Sequence, residues 1–251
     1  MKRASLACTL MVAGVAGLTA VTARADEISV AIAANFTAPA REIAALFEQQ
    51  TQHGLALSFA STGQFYAQIS QGAPFHILLA ADQATPQKLI DEGLAAADGR
   101  FTYAIGRLVL YSKSAGLVQG QQTLELGRFD KIAIANPASA PYGAAAVEVM
   151  KALGVYDALE KKIVQGNNVA QAFQFVETGN AELGFVALSQ VVQMTGGSKW
   201  IVPGSSHAPI AQDAVLLKHG VGDAAARAFL AFLHGPEAGR IIEQFGYSVS
   251  E

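Results

Sequence analysis

The chain has 251 residues, 51% of them hydrophobic and only 15% charged, a balance that permits a well-filled core in an export-compatible soluble protein. Its 17 Lys and Arg against 20 Asp and Glu give a net charge of −3, which argues against broad nucleic-acid binding. A single cysteine, Cys8, excludes a disulfide framework.

The first predicted element is a secretory signal. Lys2 and Arg3 precede an uncharged apolar run from Leu6 to Val21, and Ala23-Arg24-Ala25 fits signal-peptidase cleavage after Ala25. The run is too short, and too rich in Ala, Gly and Thr, to read as a membrane span. Cys8 lies inside it, so the exported chain carries neither a disulfide nor a thiol nucleophile. Cleavage also removes Lys2, Arg3 and Arg24, leaving 14 of the 17 basic residues against 20 acidic ones and a net charge of −6. Overall charge cannot then recruit an anion, and any capture has to be local.

Strand-like runs follow at Ile28 to Ala33, Leu55 to Ala60, Ile77 to Ala81, Tyr103 to Tyr111, Lys131 to Ala135, Leu183 to Leu188, Trp200 to Pro203 and Ala214 to Lys218. Between them, apolar residues recur at helical spacing, as in Ile43, Leu46 and Phe47, in Val169, Phe173 and Val176, and in Phe229, Phe232 and Leu233. Several of these segments end at a glycine, such as Gly54, Gly72 or Gly179, where a left-handed cap is easily accommodated. The alternation predicts an α/β fold of mostly parallel sheets covered by helices on both faces. The run from Tyr103 to Tyr111 is long for one strand of a small lobe and reads as a crossing between two lobes. With a return near Pro209, the expected division is a signal over 1–25, a first lobe over 26–106 plus 209–251, and a second over 107–208. Periodicity alone equally permits one doubly wound domain, and either arrangement binds ligands outside the strand C-termini.

Four stretches join an extended segment to a helix start: Ala33-Ala34-Asn35-Phe36-Thr37, Ala60-Ser61-Thr62-Gly63-Gln64, Ala140-Pro141-Tyr142-Gly143 and Gly166-Asn167-Asn168-Val169-Ala170. None contains Lys, Arg, Asp or Glu. A helix start presents unpaired N–H groups and the positive end of the helix dipole, so it binds an anion without formal charge. Each stretch alone also reads as an ordinary cap or turn. In the functional reading Asn35 offers a side-chain amide and a backbone N–H, Ser61 and Thr62 offer hydroxyls, Tyr142 a phenol, and Val169 a backbone N–H. Ala34 and Asn168 are secondary candidates. A fully ionised tetrahedral oxyanion only accepts hydrogen bonds, so donors without carboxylates suit a deprotonated dianion better than hydrogen phosphate.

An enzyme receives less support. The chain lacks a G-x-S-x-G elbow, an H-E-x-x-H helix, a lysine-bearing phosphate loop and a G-x-G-x-x-G fingerprint. His53, His76, His207, His219 and His234 are scattered without metal-ligand spacing, and Asp82 reads as a cap. Gly204-Ser205-Ser206-His207 is the best nucleophile-and-base candidate, and a secreted hydrolase built on it is the alternative from another class.

The ordered set of segments resembles the periplasmic molybdate-binding proteins (ModA) of ATP-binding-cassette importers. The similarity extends over nearly the whole exported chain, through Ser70-Gln-Gly-Ala-Pro74, Ala80-Ala-Asp-Gln83, Phe101-Thr-Tyr-Ala-Ile-Gly-Arg-Leu-Val-Leu110, Leu183-Gly-Phe-Val-Ala187, Gly235-Pro-Glu-Ala238 and Phe245-Gly-Tyr247. The resemblance implies a two-lobed periplasmic binding protein of type II, with molybdate or tungstate held in the cleft by neutral donors, no cofactor, and delivery by a monomer to a membrane permease. Asn35 falls at the family's first-loop ligand position, where some members have a Thr-Asn pair; Ala34 here lacks that hydroxyl. Ser61 and Thr62 match the second-loop Ser-Ser pair, Tyr142 the tyrosine that follows proline in part of the family, and Val169 a backbone donor. Other members carry a ligand tyrosine where this chain has Ala187, which directs the phenol role to Tyr142. A receptor for another oxyanion, such as sulfate, would share the same helix starts.

Overall fold

The computed structural model describes residues 27–249. The expected signal and its cleavage after Ala25 lie outside the described residues.

The chain opens with β1 (Ile28–Ala33), a 3-10 turn (Ala34–Phe36), α1 (Thr37–Thr51), β2 (Leu55–Ala60), α2 (Thr62–Ser70), β3 (Ile77–Leu79), α3 (Ala84–Asp91) and β4 (Phe101–Gly106). Past Arg107 it continues through β5 (Leu108–Ser112), α4 (Gln122–Leu126), β6 (Ile132–Ala135), α5 (Pro141–Ala152), α6 (Tyr156–Leu159), β7 (Ile163–Gly166), α7 (Val169–Glu177), β8 (Leu183–Ala187), α8 (Leu188–Val191) and β9 (Ser198–Ile201). It then returns through β10 (Ile210–Leu216), α9 (Ala224–Leu233) and α10 (Pro236–Gln244). The strands form two five-stranded sheets, ordered β2-β1-β3-β10-β4 and β7-β6-β8-β5-β9.

Each sheet has the parallel core that strand-helix alternation predicts, β2-β1-β3 in one and β7-β6-β8 in the other. Each is completed by antiparallel strands: β10 against β3 and β4, and β5 against β8 and β9. The sheets are therefore mixed. The reason is the crossing: the run from Tyr103 to Tyr111 is two strands, β4 and β5, that leave one sheet at Gly106 and enter the other at Leu108. The strand β7 escaped the sequence reading because it is short, has only Ile163 and Val164 as apolar residues, and lies at an edge.

Alternating burial fixes the register of both sheets. Ile28, Val30 and Ile32 on β1 face a core with Phe36, Ile43, Phe47, Phe229 and Ile242, while Ala31 between them faces a second core with Phe65, Leu78, Leu89 and Val215. In the other sheet Leu108, Leu110, Ile132 and Ile134 face Val149 and Met150 of α5, and Val109 and Ala133 face Ala172 and Val176 of α7. Helices cover both faces of each sheet, so parallel strand ends and helix starts collect at the edge where the sheets meet. No helix among the described residues is long and apolar enough to cross a membrane.

Candidate functional site

Local sequence starts each helix where the fold needs it. Ser61 caps α2: its backbone N–H and its hydroxyl both donate to Gln64 Oε1, at 3.0 and 2.9 Å, and the Gln64 N–H returns toward Ser61 Oγ at 3.4 Å. Asn168 caps α7, its side chain accepting from the Gln171 N–H at 3.0 Å. Pro141 occupies the first turn of α5, where its missing N–H costs nothing. The 3-10 turn after β1 carries Phe36, fully buried, whose ring meets those of Tyr103 and Tyr247 edge-on at 4.8 and 5.4 Å.

These four starts converge. Ala34 and Asn35, Ser61 and Thr62, Pro141 and Tyr142, and Asn168 and Val169 line one small cavity, with Ala33, Ala81 and Ala140 completing its wall. Its lining contains no Lys, Arg, Asp or Glu. The space inside is little more than that of one water-sized sphere, too small for an organic metabolite. A larger crevice of about 420 Å³ adjoins it and shares Ala81, Ala140 and Pro141, but Asp82 and Glu148 line that crevice and make it the wrong place for an anion.

Within the cavity the predicted donors are unequal. Thr62 is buried and its Oγ1 accepts from the Ala81 N–H at 2.9 Å, so the hydroxyl proton is left to donate elsewhere. Tyr142 is buried and its hydroxyl accepts from Gln212 Nε2 at 3.4 Å. Burial pushes the Tyr142 phenol well above its usual range, which keeps it protonated and a donor. Val169 is the first residue of α7, and helix geometry gives its N–H no intrahelical acceptor.

Two expected donors are engaged in the protein itself. The Asn35 amide donates to Gln212 Oε1 at 2.8 Å and to the Tyr247 hydroxyl at 3.0 Å, so both amide protons are taken and its backbone N–H is the group left for a ligand. The Ser61 hydroxyl proton goes to Gln64, which makes Ser61 a helix cap at the cavity wall. Ala34 contributes only backbone and a methyl group. Ala187, fully buried, has its N–H donated to Gln190 Oε1 at 2.9 Å and lies outside the cavity lining.

The sequence reading missed the residues behind this wall. Gln212, fully buried, accepts from Asn35, and the Tyr103 hydroxyl, 3.0 Å from the Ala80 carbonyl, lies 3.1 Å from the same Gln212 oxygen. Ser189 Oγ donates to the Asn35 carbonyl at 2.7 Å, and the Tyr247 hydroxyl lies 2.8 Å from that carbonyl and 3.0 Å from Ser189 Oγ. Burial raises the Tyr103 phenol well above its usual range and that of Tyr247 to about 12. The available signal was a glutamine and an aspartate, Gln212 and Asp213, side by side in the apolar run from Ile210 to Leu216. A bulge between them lets neighbouring residues both turn inward.

Charges near the cavity are contained. Asp213, almost fully buried, is paired with Arg100 Nε at 2.6 Å and accepts from Thr102 Oγ1 at 2.6 Å and Gln83 Nε2 at 3.2 Å. Asp82 accepts from the Thr85 N–H at 2.7 Å at the start of α3, the capping role expected of it, and burial holds its carboxyl above the usual range. Ser205 and Ser206 lie in a 3-10 turn, and His207 Nδ1 sits 2.7 Å from the carbonyl of Ala208. No group of three or more potential metal ligands occurs among the described residues.

Comparison with known proteins identifies the family. Residues 28–248 match the model of the bacterial extracellular solute-binding proteins. The chain is 52% identical over 244 residues to a molybdate-binding protein ModA of Azotobacter vinelandii, covering 96% of this chain and 97% of the relative. It is 52% identical over 228 residues to ModA of Rhodobacter capsulatus, covering 91% and 90%. The solved periplasmic molybdate-binding protein of Azotobacter vinelandii superposes with a TM-score of 0.87 at 40% identity, covering 89% of this chain and all of that one. The sulfate-binding protein SubI of Mycobacterium tuberculosis, at 12% identity and a TM-score of 0.74, shares the fold alone. The chain belongs to the ModA family of bacterial extracellular solute-binding proteins.

Proposed function

We propose that this protein is a periplasmic receptor that encloses molybdate between its two lobes and hands it to the permease of an ATP-binding-cassette importer. The observation that carries this reading is the small cavity at which four helix starts meet without one charged side chain. A dianion there is met by N–H groups at positive helix ends, by the Thr62 and Tyr142 hydroxyls, and by no carboxylate that could accept a proton from hydrogen phosphate. The shared fold of a sulfate-binding protein says nothing about the ion; the identity to ModA relatives favours molybdate.

The proposal extends to tungstate as a second ligand, to a monomeric receptor without a cofactor, and to export by the signal cleaved after Ala25. Asn35 and Val169 act through backbone N–H groups, Thr62 and Tyr142 through hydroxyls, and Ser61 and Asn168 as the caps that aim two of the helices. The lobes hinge where the chain passes between the sheets, at Arg107 and between Ile201 and Ile210. Calorimetric titration with molybdate, tungstate and sulfate tests ligand class and selectivity together. Tight binding of the first two and weak binding of sulfate is expected, and preference for sulfate would reject the assignment.

A further inference from the structure

We propose that Gln212 is a positioning residue that turns the Tyr142 hydroxyl proton toward the bound oxyanion. A phenol has one proton to give. Its oxygen can also accept, and here it accepts from Gln212 Nε2 at 3.4 Å, so its own proton is directed away from Gln212 and is left to the cavity or to the neighbouring Tyr247 hydroxyl, for which a bound oxyanion competes. Were the Gln212 carbonyl oxygen to face Tyr142 instead, that oxygen would take the phenol proton and the ion would lose a donor.

The amide is held in the useful direction from its other end. Gln212 Oε1 accepts from Asn35 Nδ2 at 2.8 Å and lies 3.1 Å from the Tyr103 hydroxyl. Asn35 Nδ2 is in turn held by Tyr247, and Asn35 is itself in the cavity wall. The chain makes specific room for the pair: a Cβ on Gly106 would overlap the Tyr142 hydroxyl and lie 2.6 Å from Gln212 Nε2. Gln212 is fully buried on β10 next to the bulge, with no exposure that would let water substitute for either contact. It is absent from the cavity lining, so any effect on the ion passes through its neighbours.

This inference rests on the oxyanion reading of the cavity, and a double-mutant cycle separates the two. The affinity for sodium molybdate is measured by calorimetry for the wild type, Gln212→Met, Tyr142→Phe and the double variant, with melting temperature recorded for each. Tyr142→Phe and Gln212→Met are each expected to weaken binding about tenfold, with the double variant within about twofold of Tyr142→Phe alone. Gln212→Met combined with Thr62→Ala should instead multiply the two single losses, because Thr62 is oriented separately by Ala81. A purely structural role for Gln212 would multiply with both partners and would overturn the proposal. Wild-type affinity in Gln212→Met would overturn it too. If Gln212→Met does not fold, Gln212→Leu enters the same cycle. Absence of oxyanion binding by the wild type would overturn both this inference and the receptor reading.

Discussion

Thr62 and Tyr142 illustrate how a neutral residue becomes a directed donor. Each hydroxyl accepts one hydrogen bond from inside the protein, Thr62 from Ala81 and Tyr142 from Gln212, which leaves its proton to turn toward the cavity, in Tyr142 in competition with the neighbouring Tyr247 hydroxyl. Thr62→Ala and Tyr142→Phe should therefore each weaken molybdate binding by about 1 to 3 kcal/mol, while Thr62→Ser should retain most of the affinity. Calorimetry on the three variants checks this, and unchanged affinity in the first two would remove both hydroxyls from contact with the ion. Such roles were partly legible in the sequence, because four uncharged, donor-bearing helix starts recur along the chain, although each one alone reads as an ordinary cap. What the sequence could not show is which proton is already committed. Asn35 reads as an amide donor until Gln212 and Tyr247, 177 and 212 positions away along the chain, are brought against it. Ser61 reads as a ligand until Gln64 is seen to take its proton.

At the level of elements, the decisive feature is that helix starts from both sheets meet. The N-terminus of α2 reaches across to the loop before α5, where the Gly63 N–H donates to the Ser139 carbonyl at 2.9 Å. A Cβ on Gly63 would lie 2.9 Å from Ser139 Cα and 3.1 Å from its carbonyl oxygen, and backbone atoms there cannot swing aside as a flexible side chain would. Gly63→Ala should then hinder closure while adding helix propensity to α2, worth about 0.5 to 1 kcal/mol in the isolated element. The expected outcome is molybdate affinity reduced roughly tenfold, consistent with loss of the order of one interlobe hydrogen bond, with the ligand-free melting temperature unchanged or raised. Retained affinity, together with the same ligand-induced fall in radius of gyration by small-angle scattering, would show that this close approach is not needed. Most helices and strands were legible because apolar periodicity marks them directly. The exceptions are informative: β4 and β5 form one apolar run whose break at Arg107 depends on which sheet each half joins, and the bulge in β10 hides buried Gln212 and Asp213 from any strict alternation.

Over the whole molecule, the polar groups that support the cavity also tie its stability to alkaline pH. Tyr103, Tyr142 and Tyr247 are buried within one hydrogen-bonded network with Gln212, Asn35 and Ser189, and burial raises the ionisation of all three, that of Tyr247 to about 12. In the unfolded chain the same phenols titrate near their usual value of about 10. Above that pH the unfolded state binds fewer protons than the folded one, so the slope of unfolding free energy with pH is negative. The contribution to stability is fully present below about pH 10 and is lost as pH rises toward the folded values. The melting temperature should accordingly hold from neutrality to about pH 9.5 and fall beyond it. Tyr247→Phe, which removes one of the three titrating groups, should melt lower at neutral pH for want of its bonds to Asn35 and Ser189, yet lose less per pH unit above 10. Molybdate affinity should stay flat through the plateau, because the one phenol that faces the ion remains protonated there. Calorimetric melting and titration across this range measure both quantities. An equal alkaline slope in wild type and Tyr247→Phe would show that the buried tyrosine network does not govern the loss.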